Sequence, residues 1–306
     1  MFRTLIINTG EKITVKNNWL IVSENEEEKK IPLSDIYSIV IDNPRTTLTI
    51  AALNAITQCG AHILFCDESH LPVSHTYPMN GSYAPFGKLK MQIEMTEFFK
   101  GLLWKTIIQG KIQNQAKVLS LCKVPDEHVQ RMLKFRDEVD YDDVTNREGI
   151  AAKWFFNRLY GAGFVRDHDN AINAALNYGY TIIRSSVAKT LAVFGFSCAL
   201  GVHHINRHNG FNLADDLMEP LRPLVDLWVD QNQEELVSEL TKENRRDLVN
   251  LVNHTVLVGN RKYHLRYALT EYISSLTSAI AQEDVSLLKI PEIQVNDVFF
   301  KGNDGE

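Results

Sequence analysis

The hydrophobic pattern of this chain changes period near residue 80, and that change commits it to two unlike cores. Before the change, apolar residues come in short runs rich in Ile and Val: Phe2–Asn8, Lys12–Lys16, Trp19–Ser23, Lys30–Pro32 and Ser38–Ile41. Turn residues such as Thr9-Gly10 and Asn17-Asn18 separate them, so the runs read as strands in closely spaced antiparallel hairpins. One helix interrupts the series, capped at Thr46-Thr47, with Leu48, Ala51, Ala52, Ala55 and Ile56 on its apolar side and Gly60 at its end. A further strand, His62–Cys66, follows.

From Met79 the composition turns to Asn, Gly, Ser, Tyr and Pro, which reads as a linker. Beyond it, apolar residues recur at helical spacing in Lys90–Ser120, Asp126–Val139, Asn146–Tyr160, His168–Leu200, Leu213–Gln231, Glu234–Thr241, Glu243–Leu251 and Lys262–Ala281. The expected fold is α+β. A small, β-rich, sandwich-like domain spans 1–78, a linker 79–89, a larger all-α domain 90–288 and a flexible acidic tail 289–306.

A length of 306 residues suits two domains. The longest apolar runs, Leu5–Ile7 and Ile63–Cys66, fall far short of the roughly 20 residues of a membrane helix. Met1-Phe2-Arg3-Thr4 opens no apolar signal segment, so a cytoplasmic protein with no membrane partner is expected. Cys59, Cys66, Cys122 and Cys198 form no CxxC pair and read as reduced thiols. The net charge of −6 counts against a nucleic-acid partner, whose affinity comes from neutralising phosphates. The charge is segregated, however. Acid gathers in Glu24–Glu28, Asp137–Asp143 and the tail, and base in Lys88–Lys90, Arg131–Arg136, Arg245-Arg246 and Arg261–Arg266, so composition leaves the partner open.

Three places in the helical half carry chemistry. Thr145-Asn146-Arg147-Glu148 opens a helix, and Thr-x-x-Glu is the pattern of a capping box, in which the glutamate bonds back to the cap. Gly201-Val202-His203-His204-Ile205-Asn206-Arg207-His208 places three histidines just past a long apolar helix, with Gly201 suited to its C-cap. These are metal ligands or exposed loop residues. In Asn212–Pro223, Asp216 and Glu219 share one helical face. Two anions side by side need a cation between them, either a metal or Arg222. Pro220 and Pro223 break helical propensity there, and are tolerable only if a helix begins near Met218 or is kinked.

Two carboxylates and an imidazole make a hard-leaning ligand set that suits Mg²⁺ or Mn²⁺. The sequence holds no Walker-type loop, Gly-rich dinucleotide fingerprint or Gly-x-Ser-x-Gly elbow. Metal-assisted phosphoryl chemistry is the enzymatic class that survives. Its rivals are a non-catalytic DNA-binding scaffold and a metallohydrolase of small phosphorylated substrates, the latter disfavoured by the missing Gly-rich loop.

At these same residues the chain resembles the Cas1 family of CRISPR adaptation integrases, in the type II form that accompanies Cas9. The resemblance rests on Gly201-x-x-His204 followed by Asn212–Glu219 and Arg222-Pro223-Leu224-Val225-Asp226, and on Asn146-Arg147-Glu148-Gly149 leading into Ala-Ala-x-x-Phe-Phe. It extends over nearly the whole chain up to Leu288. It implies a metal, Mg²⁺ or Mn²⁺, held by the catalytic residues Glu148, His204 and Glu219, with Asp216 in support. It also implies integration of captured double-stranded DNA into the CRISPR repeat by transesterification, and nuclease action with water as nucleophile. The partners it implies are a second copy joined through the β-rich domain, the small protein Cas2, and other type II adaptation proteins including Cas9. Several copies would present their basic patches along one duplex, with Arg131, Lys134, Arg136, Arg158, Arg166, Arg184, Arg245 and Arg246 as candidate phosphate contacts.

Overall fold

The computed structural model describes residues 3–9, 12–25, 27–68, 70–76, 85–166, 168–237 and 239–294. The first part contains β1 (Arg3–Ile7), β2 (Lys12–Lys16), β3 (Trp19–Glu24), β4 (Glu27–Pro32), β5 (Ile36–Ile41), β6 (Thr47–Leu48), α1 (Ile50–Gln58), β7 (His62–Cys66) and β8 (Pro72–His75). They make two four-stranded sheets, ordered β4-β3-β2-β6 and β1-β5-β7-β8.

The first sheet holds the expected hairpins. Asn17 and Asn18 turn between β2 and β3 with φ of 52° and 63°, the left-handed pair that a tight two-residue hairpin turn demands. The second sheet departs from expectation, because β1, β5 and β7 run parallel. Parallel neighbours need long crossovers, and here the first hairpins and α1 supply them. All six residues of β5 are buried, as befits a central strand covered on both faces. Ile13 and Leu20 of the first sheet meet Ile36, Ile39 and Ile63 of the second and Ala52 and Ile56 of α1 in one core. The cap of α1 is Thr49, whose hydroxyl accepts from the Ala52 amide at 3.2 Å. Thr47, expected at the cap, is in β6 instead.

The second part contains α2 (Pro85–Glu94), α3 (Glu97–Leu121), α4 (Asp126–Asp137), α5 (Arg147–Leu159), α6 (Ala171–Phe194), α7 (Asn212–Met218), α8 (Arg222–Gln231) and α9 (Lys242–Asn250). It closes with β9 (Thr255–Val258), β10 (Arg261–His264), α10 (Leu265–Gln282) and β11 (Pro291–Glu292). Helix α3 runs through the middle and packs on α4, α5 and α8. Its buried residues lie on every side, the mark of a helix enclosed by others.

Several boundaries differ from expectation. Residues 85–89 of the expected linker belong to α2, and 79–84 lie outside the described residues. The segment expected as a helix to Leu200 ends at Phe194, where Gly195 takes φ of 84° as the left-handed cap. Among the described residues of the expected helix Glu234–Thr241, the regular structure is the end of a 3₁₀ turn at Gln233–Glu235, and Lys262–His264 is strand rather than helix. The expected flexible tail begins as structure, since β11 pairs with β9 and Ile293 is buried. Residues 295–306 lie outside the described residues.

The two parts are tied by charge. Buried Asp42, after β5, accepts from Arg245 Nε of α9 at 3.0 Å and lies 2.8 Å from His70 Nδ1. Lys189 of α6 donates to the Tyr37 carbonyl at 2.9 Å. Arg245, one of the candidate phosphate contacts, is thereby engaged inside the protein. Among the described residues no helix is long and apolar enough to cross a membrane, and the four cysteines are free thiols.

Candidate functional site

Glu148 comes from the first turn of α5. Asn146 caps that helix from the left-handed region (φ 52°) and accepts from the Gly149 amide at 3.1 Å. Asp143 accepts from the amides of Arg147 at 2.7 Å and Glu148 at 3.0 Å. Thr145 turns away to Asp140, so the capping box suggested by Thr-x-x-Glu does not form. With the turn's amides already satisfied, the Glu148 carboxylate is free to reach α3, where it accepts from Lys111 Nζ.

His204 lies in the loop between α6 and α7. Asp216, fully buried on α7, organises that loop by accepting from the amides of Val202 at 2.6 Å, His203 at 3.0 Å and His204 at 3.1 Å, and by meeting His204 Nδ1 at 2.6 Å. Gly201 is glycine because a Cβ there would sit 2.2 Å from the His204 carbonyl oxygen and 2.9 Å from Asp216 Oδ2. Its role is close approach rather than the helix cap read from the sequence. The neighbouring His203 ring stacks on Trp104 of α3 at 4.1 Å. The Asp216 hydrogen bond holds the His204 imidazole above its ordinary pKa, against the opposing pull of burial. A proton on Nδ1, fixed by Asp216, leaves Nε2 of the neutral ring as the lone-pair donor.

Glu219 opens a 3₁₀ turn, Glu219–Leu221, that joins α7 to α8. Pro220 and Pro223 fall in the first turns of the two helical segments, where a missing amide hydrogen costs little. Glu219 is 5% exposed. Its Oε2 accepts from Lys111 Nζ at 2.5 Å, and Arg222 Nε stands 2.9 Å from Oε1. Burial would raise the Glu219 carboxyl, yet Arg222, Lys111 and His204 together hold it below the ordinary range. Burial likewise would lower the Lys111 ammonium, but Glu219 and Glu148 hold it above its usual value.

The structure therefore brings Glu148 and Glu219 together on one ammonium, while His204 is held by Asp216 in the loop before α7. Among the described residues no three His, Cys, Asp or Glu side chains are gathered tightly enough to hold a metal as they stand. The donor chemistry nonetheless suits a hard divalent cation: two carboxylates converge on a single positive point, and a nearby imidazole has its remote nitrogen anchored by a carboxylate. Arg222 is also present on Glu219, so the cation that could have served instead of a metal is in place too.

Lys111 was not singled out in the sequence. It lies four residues after Ile107 and three after Ile108, in the register of the buried face, and a charge at such a position was the available signal. Of the expected phosphate contacts, Arg166 is engaged with Asn173 and Asn177 and Arg136 with Asp137 and Gln113.

The family described as CRISPR associated protein Cas1 matches residues 4–234. The CRISPR-associated endonuclease Cas1 of Neisseria meningitidis serogroup C (strain 8013) is 36% identical over 95% of this chain and 96% of its own. Among solved structures, a casposase bound to integration product superposes with a TM-score of 0.75 at 18% identity, covering 97% of this chain and 96% of that one. A Cas6-RT-Cas1–Cas2 complex does so with a TM-score of 0.74 at 19% identity, covering 96% of this chain and 36% of that one. At such identities the two superpositions speak for the fold alone. They agree with a β-rich first part followed by a larger helical part.

Proposed function

The chain belongs to the CRISPR-associated Cas1 family, and on that premise we propose that it is a divalent-metal-dependent DNA endonuclease and integrase that inserts captured fragments into a CRISPR array. The observation that carries this reading is the meeting of Glu148 and Glu219, brought from two separate helical segments to one cationic point.

Glu148, Glu219 and Nε2 of His204 would hold Mg²⁺ or Mn²⁺. Such an ion, when bound, would neutralise charge on an attacked phosphodiester and lower the pKa of the attacking hydroxyl. The chain's own contribution is placement. Asp216 orients the imidazole and fixes its tautomer. The cap at Asn146 and Asp143 frees Glu148 from backbone duty, and the 3₁₀ turn aims Glu219 at the same point. The reaction is then a transesterification. A 3′-hydroxyl of the fragment attacks a phosphodiester at the repeat border, the new ester forms, and the old 3′-oxygen leaves. Water in place of the hydroxyl makes the same site a nuclease.

Double-stranded DNA, a second copy of the chain through the β-rich domain, and Cas2 are the partners this reading assigns. A type II setting with Cas9 belongs to the same reading. One superposed structure is bound to an integration product and the other is a complex with Cas2, which supports DNA and Cas2 as partners. One observation favours a second reading, a non-catalytic DNA-binding scaffold: Lys111 and Arg222 already balance the two carboxylates without a metal.

Strand joining of a short duplex into a repeat-bearing plasmid, with Cas2 present, separates the two. Wild type is expected to join with Mg²⁺ or Mn²⁺ and to stop in EDTA. Glu148→Ala, His204→Ala and Glu219→Ala should each lose at least about a hundredfold while still binding DNA. Joining by the variants at the wild-type rate would remove the site assignment. DNA binding with no joining by wild type would favour the scaffold.

A further inference from the structure

The most unusual group in the molecule is the Lys111 ammonium. It sits in the middle of α3, 7% exposed, and both proposed carboxylate ligands converge on it. The charges nearest the two carboxylates already sum to zero, because Lys111 and Arg222 offset Glu148 and Glu219. A divalent ion on the same oxygens would face two fixed positive charges, which is unfavourable in a buried setting. One of the cations has to leave the carboxylates. Arg222 is anchored twice, by Glu219 and by the face of the Tyr180 ring 4.9 Å from its guanidinium carbon. Lys111 has a flexible four-carbon stem, and among the described residues its hydrogen-bond acceptors are the two glutamates.

We propose that Lys111 is a built-in competitor of the metal, a positioning residue whose ammonium holds Glu148 and Glu219 together until a DNA phosphate draws it away. The inference rests on the metal reading above. In the metal-free protein Lys111 keeps the buried Glu219 carboxylate and the half-buried Glu148 carboxylate from repelling each other. When a phosphodiester arrives, its negative charge offers the ammonium a new partner, and the vacated oxygens accept the divalent ion. Metal and DNA then bind cooperatively, and by linkage each strengthens the other by the same factor. Free protein stays poorly loaded, which confines cutting to assembled complexes.

The test is a Mn²⁺ titration followed by electron paramagnetic resonance at fixed pH. It uses the full chain, with and without a short duplex. Lys111→Met, which keeps most of the length and loses the charge, is expected to bind Mn²⁺ at least about tenfold tighter than wild type in the absence of DNA. Lys111→Arg should gain nothing. The duplex should tighten binding to wild type severalfold and to Lys111→Met less. In the metal-free state Lys111→Met should melt at a lower temperature than wild type, and Mn²⁺ should raise its melting temperature more. Should Lys111→Met not fold, Lys111→Gln takes its place in the same titration. Mn²⁺ affinity in the uncharged variant no greater than in wild type would overturn the inference while leaving the metal reading intact. No Mn²⁺ binding by any form, even with the duplex, would remove the metal reading itself and this inference with it.

Discussion

At the scale of single residues, the site depends most on Asp216, which is never a ligand in this account. Its two oxygens collect three backbone amides and one imidazole nitrogen in a fully buried position. Removing the carboxylate leaves those donors without partners and the His204 ring without a fixed tautomer. Asp216→Ala is expected to cost about 3–5 kcal/mol in urea unfolding, the scale of breaking a buried charged network. A loss under about 1 kcal/mol would mean that the loop is held by something else. The motifs single out Glu148, His204 and Glu219, and the structure brings the two glutamates onto one ammonium, though local spacing equally allowed a capping box and an Asp/Glu–Arg face. What spacing could not reveal is which interactions the backbone had already satisfied. Asn146 and Asp143 do the capping that Thr145 and Glu148 seemed placed to do, and this frees Glu148 for other work.

At the scale of elements, α3 links the site to the end of the described chain. Asn114, one turn beyond Lys111, donates from Nδ2 to the carbonyls of Pro220 at 2.7 Å and Pro291 at 2.9 Å. Its Oδ1 accepts from the Ile293 amide at 3.1 Å. The turn that carries Glu219 and the strand β11 are thus clasped by one buried side chain. Asn114→Ala should destabilise the protein by about 2–4 kcal/mol, since it strands buried backbone groups. Amide exchange at Ile293 should quicken in step; unchanged protection at Ile293 would contradict the clasp. Element existence was legible where the periodic pattern is long, as for α3 and α10. Element ends were legible less often. Gly195 rather than Gly201 closes α6, because both glycines follow the same apolar run and only one adopts the left-handed backbone. The sheet β10-β9-β11 was missed, since its short strands adjoin α10 and two of their residue pairs come from opposite sides of it.

At the scale of the molecule, the period change near residue 80 did separate a β-rich part from a helical one. The parallel pairing of β1, β5 and β7 was not legible, because pairing direction depends on crossovers and not on the strands' own residues. The buried tie between Asp42 and Arg245 joins residues 203 positions apart, beyond the reach of local pattern. Global stability should also carry a pH signature from Asp226, which accepts from the Tyr180 hydroxyl in the core. Burial pushes its pKa up to about 7, with the Tyr180 hydrogen bond pulling the other way. The folded value exceeds the unfolded one of about 3.9, so the folded state binds the extra proton between them. That contribution is complete below about pH 4 and is lost as pH rises through about 7, with a slope up to about 1.4 kcal/mol per pH unit. Urea unfolding from pH 4.5 to 7.5 should show wild type losing stability relative to Asp226→Asn as pH rises; parallel curves would contradict it.

Whether Glu148, His204 and Glu219 form one metal centre is decided by anomalous X-ray scattering from crystals grown with Mn²⁺ and a short duplex. A single strong peak is expected within about 2.5 Å of all three side chains, with Lys111 displaced from the carboxylates. A Lys111 ammonium still bridging both glutamates, with no peak between them at saturating Mn²⁺, would contradict it.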